Sequence, residues 1–132
     1  EQQRTIFTGH NFEAVVGLAY PSLARKGMKP VFDEMIDQGL LKHNVFAFYL
    51  TNKQAEGLGI QSDLTFGYYD KAKYKGDMVW HPIKFKYMFG VQLDDIKVNG
   101  KSTGVCQDRP KGCLITFDSG TSLMSVPKFA AQ

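Results

Sequence analysis

Ile115-Thr116-Phe117-Asp118-Ser119-Gly120-Thr121-Ser122-Leu123 is the stretch on which the reading of this chain turns. Residues 114–117 (LITF) form the apolar, β-branched and aromatic run of a buried strand. A buried strand ends in a carboxylate only where something nearby holds the charge. Ser119, Thr121 and Ser122 bring short hydroxyl donors beside Asp118, and Gly120 permits a sharp turn and the close approach of another backbone. A carboxylate delivered on a rigid strand and wrapped in donors suits a catalytic acid or base. The same six residues also suit an Asx-type turn that simply closes a strand. Both readings stand until the rest of the chain is weighed.

The chain has 132 residues, enough for one modest domain. Apolar residues make up 43% and aromatics 13%, so there is material for a core and no case for general disorder. The 13 glycines fall between short apolar runs, the pattern of a turn-rich, mostly β protein. The net charge is +3, and the lysines between 71 and 86 are interrupted by apolar and acidic residues. No basic stripe interleaves with stacking aromatics, which argues against nucleic-acid binding. No run approaches the roughly 18–20 apolar residues of a membrane span. Glu1-Gln2-Gln3-Arg4 is not a signal peptide. Cys106 and Cys113 flank a stretch with Pro110 and Gly112 that can turn back on itself. They would form a small-loop disulfide on a secretory route and stay free thiols in the cytosol. With no histidine beside them, they make a poor zinc site.

Outward from the motif, the chain reads as a series of short elements. Val15-Val16-Gly17 is expected to be a buried strand meeting another backbone closely, ended by Pro21-Ser22. Pro30 opens a helix with Asp33 and Glu34 in its first turn and Val31, Phe32, Met35 and Ile36 on one face, and Gly39 stops it. Residues 45–50 (VFAFYL) form an interior strand, residues 51–62 a hairpin loop and residues 64–67 the returning strand. Residues 78–83 form a further strand that Pro82 marks as an edge or an end. Residues 89–93 alternate as a half-buried strand, and Asn99-Gly100 is the strongest hairpin signal in the chain. Ser125-Val126-Pro127 reads as a helix start.

Local partners for Asp118 are missing from the sequence. His10, His43 and His81 are scattered in loop-like or edge settings. Ser122 lacks the surroundings of a nucleophile elbow. Asp94 and Asp95 are adjacent on an expected strand, so they point to opposite faces and make no pair. No metal cluster is supported. Tyr68, Tyr69 and Tyr74 read more simply as turn packing than as a binding surface. A lone carboxylate is tuned for acid–base work most simply by a second one sharing its proton. No second aspartate in an equivalent setting occurs here.

With these motifs in hand, the chain resembles the pepsin family of aspartic endopeptidases, of plasmepsin-like or cathepsin D-like type. Residues 12–21 (FEAVVGLAYP) look like the family's hydrophobic-hydrophobic-glycine strand and its continuation. Residues 30–40 look like the following helix, 45–50 the next strand, and 66–82 the turn and the crossing between lobes. Residues 89–96 resemble the Trp-Gln-Ile-type strand, with Phe89 in the tryptophan position. Residues 115–123 look like the second catalytic Asp-Thr/Ser-Gly-Thr motif in its Asp-Ser-Gly form. The resemblance implies a mostly β, bilobal acid-protease fold. In each lobe of that fold the catalytic aspartate precedes the hydrophobic-hydrophobic-glycine strand, whereas here Val15-Val16-Gly17 precedes Asp118. Residues 1–70 are therefore expected to be the last part of the N-terminal lobe, and 71–132 the first part of the C-terminal lobe.

Carried over residue by residue, the resemblance makes Asp118 the C-terminal-lobe catalytic carboxylate. It puts Ser119 in the grip between the two active-site loops, Gly120 as a donor that leaves room for the turn, and Thr121 on the outer oxygen of Asp118. Phe12 and Val15 match non-primed apolar subsites and Met88 a primed-side position, while Cys106 and Cys113 match a disulfide before the active strand. It implies no cofactor and no metal. The expected partners are a peptide or protein substrate and the remainder of the same protease, with the first aspartate and the flap. The expected setting is the secretory route, lysosome- or vacuole-like or extracellular. Alone, the segment is expected to be inactive and poorly soluble. The rival expectation is a non-catalytic pepsin-like binding or inhibitor protein, against which the intact Asp118-Ser119-Gly120-Thr121 weighs.

Overall fold

The computed structural model describes residues 9, 14–107, 109 and 112–126. Phe12, His10 and the helix expected at Pro127 lie outside the described residues. The architecture is mostly β with a few short helices. Contacts divide the chain into two compact units, residues 1–18 with 29–78 and residues 19–28 with 79–132.

The first unit is a two-stranded antiparallel ribbon braced by a helix. Strand β1 (Phe46–Tyr49) pairs with β2 (Asp63–Phe66) in the register Phe46↔Phe66 to Tyr49↔Asp63. The helix α1 (Val31–Asp37) begins at Pro30, which needs no N–H partner there, and carries Asp33 and Glu34 in its first turn. It stops where Gly39 turns to φ 66°. The Gly39 N–H then donates to the Ile36 carbonyl, and the Leu40 N–H to the Met35 carbonyl. Phe32 on α1 stacks edge-on against Phe46, with ring centres 5.0 Å apart, and lies 6.1 Å from Phe66. A two-stranded ribbon is marginal by itself, so this aromatic seam is what makes the unit cohere.

Three expectations for this unit are corrected. Residues 51–62 are not merely a loop, because helix α2 (Lys53–Gly57) lies within them. Asn52 caps it by accepting from the Ala55 N–H at 2.9 Å, and Gly59 at φ 81° ends it. The strand expected at Val15-Val16-Gly17 does not form: among the described residues no strand runs beside it, and Val15 is 76% exposed. For the same reason β1 is not interior, since β2 alone flanks it among the described residues.

The second unit is built on a three-stranded antiparallel sheet in the order β3 (Ile83–Lys86), β4 (Phe89–Leu93), β7 (Cys113–Thr116). Strands β3 (Ile83–Lys86) and β4 (Phe89–Leu93) form a hairpin with an extra residue between Ile83 and Phe85. The strand expected at 78–83 thus begins only at Ile83, after Pro82, whose ring nitrogen offers no ladder donor. The 3₁₀ turn Pro21–Leu23 belongs to this unit: Ser22 Oγ donates to the Lys86 carbonyl at 2.7 Å, and Tyr20 packs on Phe89 at 5.0 Å. Strands β5 (Lys97–Val98) and β6 (Lys101–Ser102) close around Asn99 (φ 51°) and Gly100 (φ 78°), the paired left-handed conformations that an Asn-Gly turn supplies. Asp94 and Asp95 lie beyond the end of β4 rather than on a strand, and Asp95 accepts from Ser102 Oγ at 2.9 Å.

Strand β7 (Cys113–Thr116) pairs with β4 from Leu93↔Cys113 to Gly90↔Thr116. A disulfide joins Cys113 to Cys106, the latter buried. β7 is an edge strand, and its buried reading is corrected: Leu114 and Phe117 are exposed. Among the described residues no helix is long and apolar enough to cross a membrane. Replacing both Cys106 and Cys113 with Ala is expected to lower the stability of the full-length protein by about 2.5 kcal/mol, the loop-entropy value for so short a closed loop. Denaturant unfolding checks this, with the midpoint falling and the slope near that of the parent.

Candidate active-site turn

Asp118 lies two residues beyond the last rung of the β4–β7 ladder, Gly90↔Thr116. The ladder carries the chain out to Thr116, and the residues after Phe117 fold back on themselves. The Thr121 N–H donates to the Asp118 main-chain carbonyl at 3.2 Å, which closes the turn. The carboxylate is held at both oxygens. The Gly120 N–H donates to Oδ1 at 2.9 Å, and Thr121 Oγ1 donates to Oδ2 at 2.6 Å. Gly120 has ordinary φ, so its role here is space: a Cβ would stand 3.2 Å from Oδ1. Ser119 is exposed at the apex.

Both bonds favour the ionised form. The Thr121 hydroxyl, and after it the Gly120 N–H, hold Asp118 below the ordinary carboxylate value, while partial loss of water opposes them weakly. Asp118 is exposed, not buried as the strand reading expected. At neutral pH this group is a carboxylate, and it binds a proton only in acid. A single such group in water is an ordinary anion. It becomes an acid–base catalyst when a second carboxyl group competes with it for one proton.

The other residues singled out from the sequence fall in different places. Met88 occupies the turn between β3 and β4 and leaves the sheet at the same end as Asp118, since each stands two residues past the rung Gly90↔Thr116. Val15 belongs to the first unit. Cys106 and Cys113 are joined at the far end of β7 from Asp118. Among the described residues no group of three His, Cys, Asp or Glu side chains could hold a metal ion.

Sequence reasoning passed over one feature and set another aside as turn packing. Gly90 is buried where β3 and β4 meet, and a glycine inside an alternating strand was its signal. In the first unit, Tyr68, Tyr69 and Tyr74 line a cavity of about 440 Å³ along the β1–β2 ribbon. There the Lys73 ammonium sits 2.8 Å from Asp63 and 4.6 Å above the Tyr49 ring. Asp63 holds that ammonium above its ordinary value by hydrogen bonding, against the opposing effect of desolvation.

Comparison with known proteins bears on the whole chain. The family model described as eukaryotic aspartyl protease matches residues 1–132. Cathepsin E of Oryctolagus cuniculus is 39% identical over 121 residues, covering 92% of this chain and 29% of that protein. Pregnancy-associated glycoprotein of Equus caballus is 40% identical over 119 residues, covering 90% and 29%. Pepsin A of Bos taurus is 37% identical over 119 residues, covering 90% and 30%. The chain spans about three-tenths of the length of these curated relatives.

The Thr121–Asp118 bond is testable directly. Thr121→Val is expected to raise the Asp118 pKa toward the ordinary 3.8, and Thr121→Ser to leave it nearly in place. Carboxyl NMR titration of the full-length protein reads both. The sign for stability follows from a folded value below the unfolded one. Asp118 adds stability above pH 3.8, and this is lost as the pH falls through the folded value. Thr121→Val should therefore flatten the acid limb of the stability profile.

Proposed function

The chain belongs to the eukaryotic aspartyl protease family, and on that footing we propose that Asp118 is one of the two catalytic carboxylates of an aspartic endopeptidase. The observation that carries the proposal is the carboxylate set just past the end of a sheet strand, with a donor on each oxygen. The second carboxylate would come from the remainder of the same protein. Residues 1–70 would then close the N-terminal lobe and 71–132 open the C-terminal lobe.

The chemistry follows from one proton shared by two carboxyl groups. The ionised member takes a proton from a bound water as the water oxygen attacks the peptide carbonyl carbon. The neutral member gives its proton to the carbonyl oxygen, which leaves a tetrahedral diol. Collapse of the diol breaks the C–N bond. The carboxyl group that took the water proton passes it to the departing amine, and a diol hydroxyl returns its proton to the other carboxylate. The Gly120 and Thr121 donors keep Asp118 ionised and fix its orientation, so the pair can hold one charge at acidic pH. Ser119 lies at the apex of the turn, where it can meet the matching loop of the other lobe. Val15 and Met88, both exposed, are offered as apolar subsite residues, with Phe12 assigned beside Val15 on resemblance alone.

The substrates are peptides or proteins with apolar side chains about the cleaved bond, and the setting is the secretory route. The disulfide supports an oxidising compartment. Exposed apolar stretches at Val15-Val16, Phe117 and Leu123-Met124 support a further protein surface lying over them, that of the remaining lobes.

The test is cleavage of an apolar peptide by the full-length protein across pH 2–7, a window set by the range over which carboxylate pairs titrate (about 1.5–5). Activity is expected in acid. Asp118→Asn is expected to lower kcat by at least about 10²–10⁴-fold with folding intact. Undiminished cleavage by Asp118→Asn would sink the assignment. No cleavage by the parent, together with a substituted first aspartate, would favour a non-catalytic binding protein.

A further inference from the structure

We infer that Gly90 is a positioning residue for Asp118, because the missing side chain lets β3 close on β4 at the rung that delivers the carboxylate. The inference rests on the catalytic reading of Asp118, and one arm of its test does not.

Gly90 is buried, with half-buried Phe89 and Val91 on either side. Its φ is not positive, so the backbone there would accept another residue. The reason for glycine is room. A Cβ at 90 would stand 2.9 Å from the Cβ of Phe85 and 3.5 Å from the Phe85 carbonyl oxygen. The first distance lies below any ordinary carbon contact, and a Cβ cannot rotate away as the tip of a long side chain can. One strand must move.

What moves is tied to Asp118. Phe85 is the partner of Gly90 on β3, beside the extra residue that shifts the hairpin register. The hairpin connection is tight: the Gly90 N–H donates to the Met88 carbonyl at 2.7 Å. On its other edge Gly90 pairs with Thr116, the last rung of β7. β4 is the one strand that flanks β7 among the described residues. The bonds that shape the Asp118 turn are all internal to residues 118–121. The turn keeps its shape from within and takes its place in space from Thr116. A side chain at 90 therefore leaves the carboxylate and its donors intact and aims them elsewhere. Misplacing a reacting group by about 1 Å can cost on the order of 10²-fold in rate.

The experiment compares the full-length protein with Gly90→Ala, Phe85→Gly and the double variant Phe85→Gly/Gly90→Ala. Gly90→Ala is expected to lower kcat/KM about 10- to 100-fold on that displacement scale and to narrow the bell-shaped pH profile. Two carboxyl groups that face each other less closely split their apparent pKa values less. Loss of folded protein alone lowers the amplitude and leaves the width unchanged. The double variant, which removes the Phe85 Cβ, is expected to regain the parental width and most of the rate. The arm independent of activity is the backbone amide spectrum. Gly90→Ala is expected to shift Thr116, Phe117 and Asp118, and the double variant to return them. Shifts confined to residues 83–91, or an unchanged profile width, would overturn the inference. Should Gly90→Ala not fold, the double variant carries the test: parental width supports the inference, and a folded double variant with a narrowed profile refutes it. If the parent cleaves nothing, the amide arm still decides whether Gly90 places Asp118.

Discussion

Four antiparallel rungs between β4 and β7 determine where Asp118 stands. The ladder starts beside the disulfide at Leu93↔Cys113 and ends at Gly90↔Thr116, two residues before the carboxylate. A slip of one residue would turn every side chain of β7 to the other face. Two devices oppose such a slip. The covalent bond to Cys106 anchors the start of β7. Just before it, Gly112 sits at φ 68°, a left-handed conformation that favours glycine, with the Gln92 side chain lying against it. The start of the strand is both tied and fitted, and the turn past its other end needs only its own donors.

The first unit solves a similar problem with different means. Its ribbon has two strands and gains cohesion from one helix, through Phe32 against Phe46 and Phe66. Gly67, at φ 82°, lets the chain leave β2 tightly against residues 41 and 42 and donates to the Val45 carbonyl at 2.8 Å. Large apolar side chains remain in contact with water in both units, and each unit presents strand edges that pair with nothing among the described residues. Burial on this scale is too small to hold a chain of this length firmly.

Much of the architecture was legible because its signals are local. Asn99-Gly100 names its own turn, the 3.6-residue spacing from Val31 to Ile36 names α1, and Phe89, Val91 and Leu93 name a half-covered strand. Errors arose where the outcome depends on neighbours. Val15-Val16 and Phe117 have strand-like residues, but a strand is defined by a partner, and among the described residues none lies beside Val15-Val16. Helix α2 was hidden by Gly57 and Gly59, read as loop formers although Gly59 serves as the stop of a helix capped by Asn52. The Asp118 turn was readable from residues 118–121 because all its bonds are local. Gly90 was not, since its reason is the Cβ of a residue on another strand.

The electrostatics of Asp118 bear on why such a turn suits acid chemistry. In the structure the carboxylate is exposed, and the two donors outweigh the small loss of water, so its pKa lies below the ordinary value. An active site that closes over a peptide removes water and adds a second carboxylate, and both changes push the value upward. A carboxyl group without donors would then be neutral throughout the acid range and could not draw a proton from water. The Thr121 hydroxyl and the Gly120 N–H counter that rise at the atoms where charge resides. In the proposed carboxyl pair they would leave one member ionised in acid, the state in which one group takes a proton while the other gives one. The same four residues thus satisfy both readings of the opening motif. On the catalytic reading proposed for Asp118, the Asx-type turn that closes the strand would also be the device that keeps the carboxylate charged.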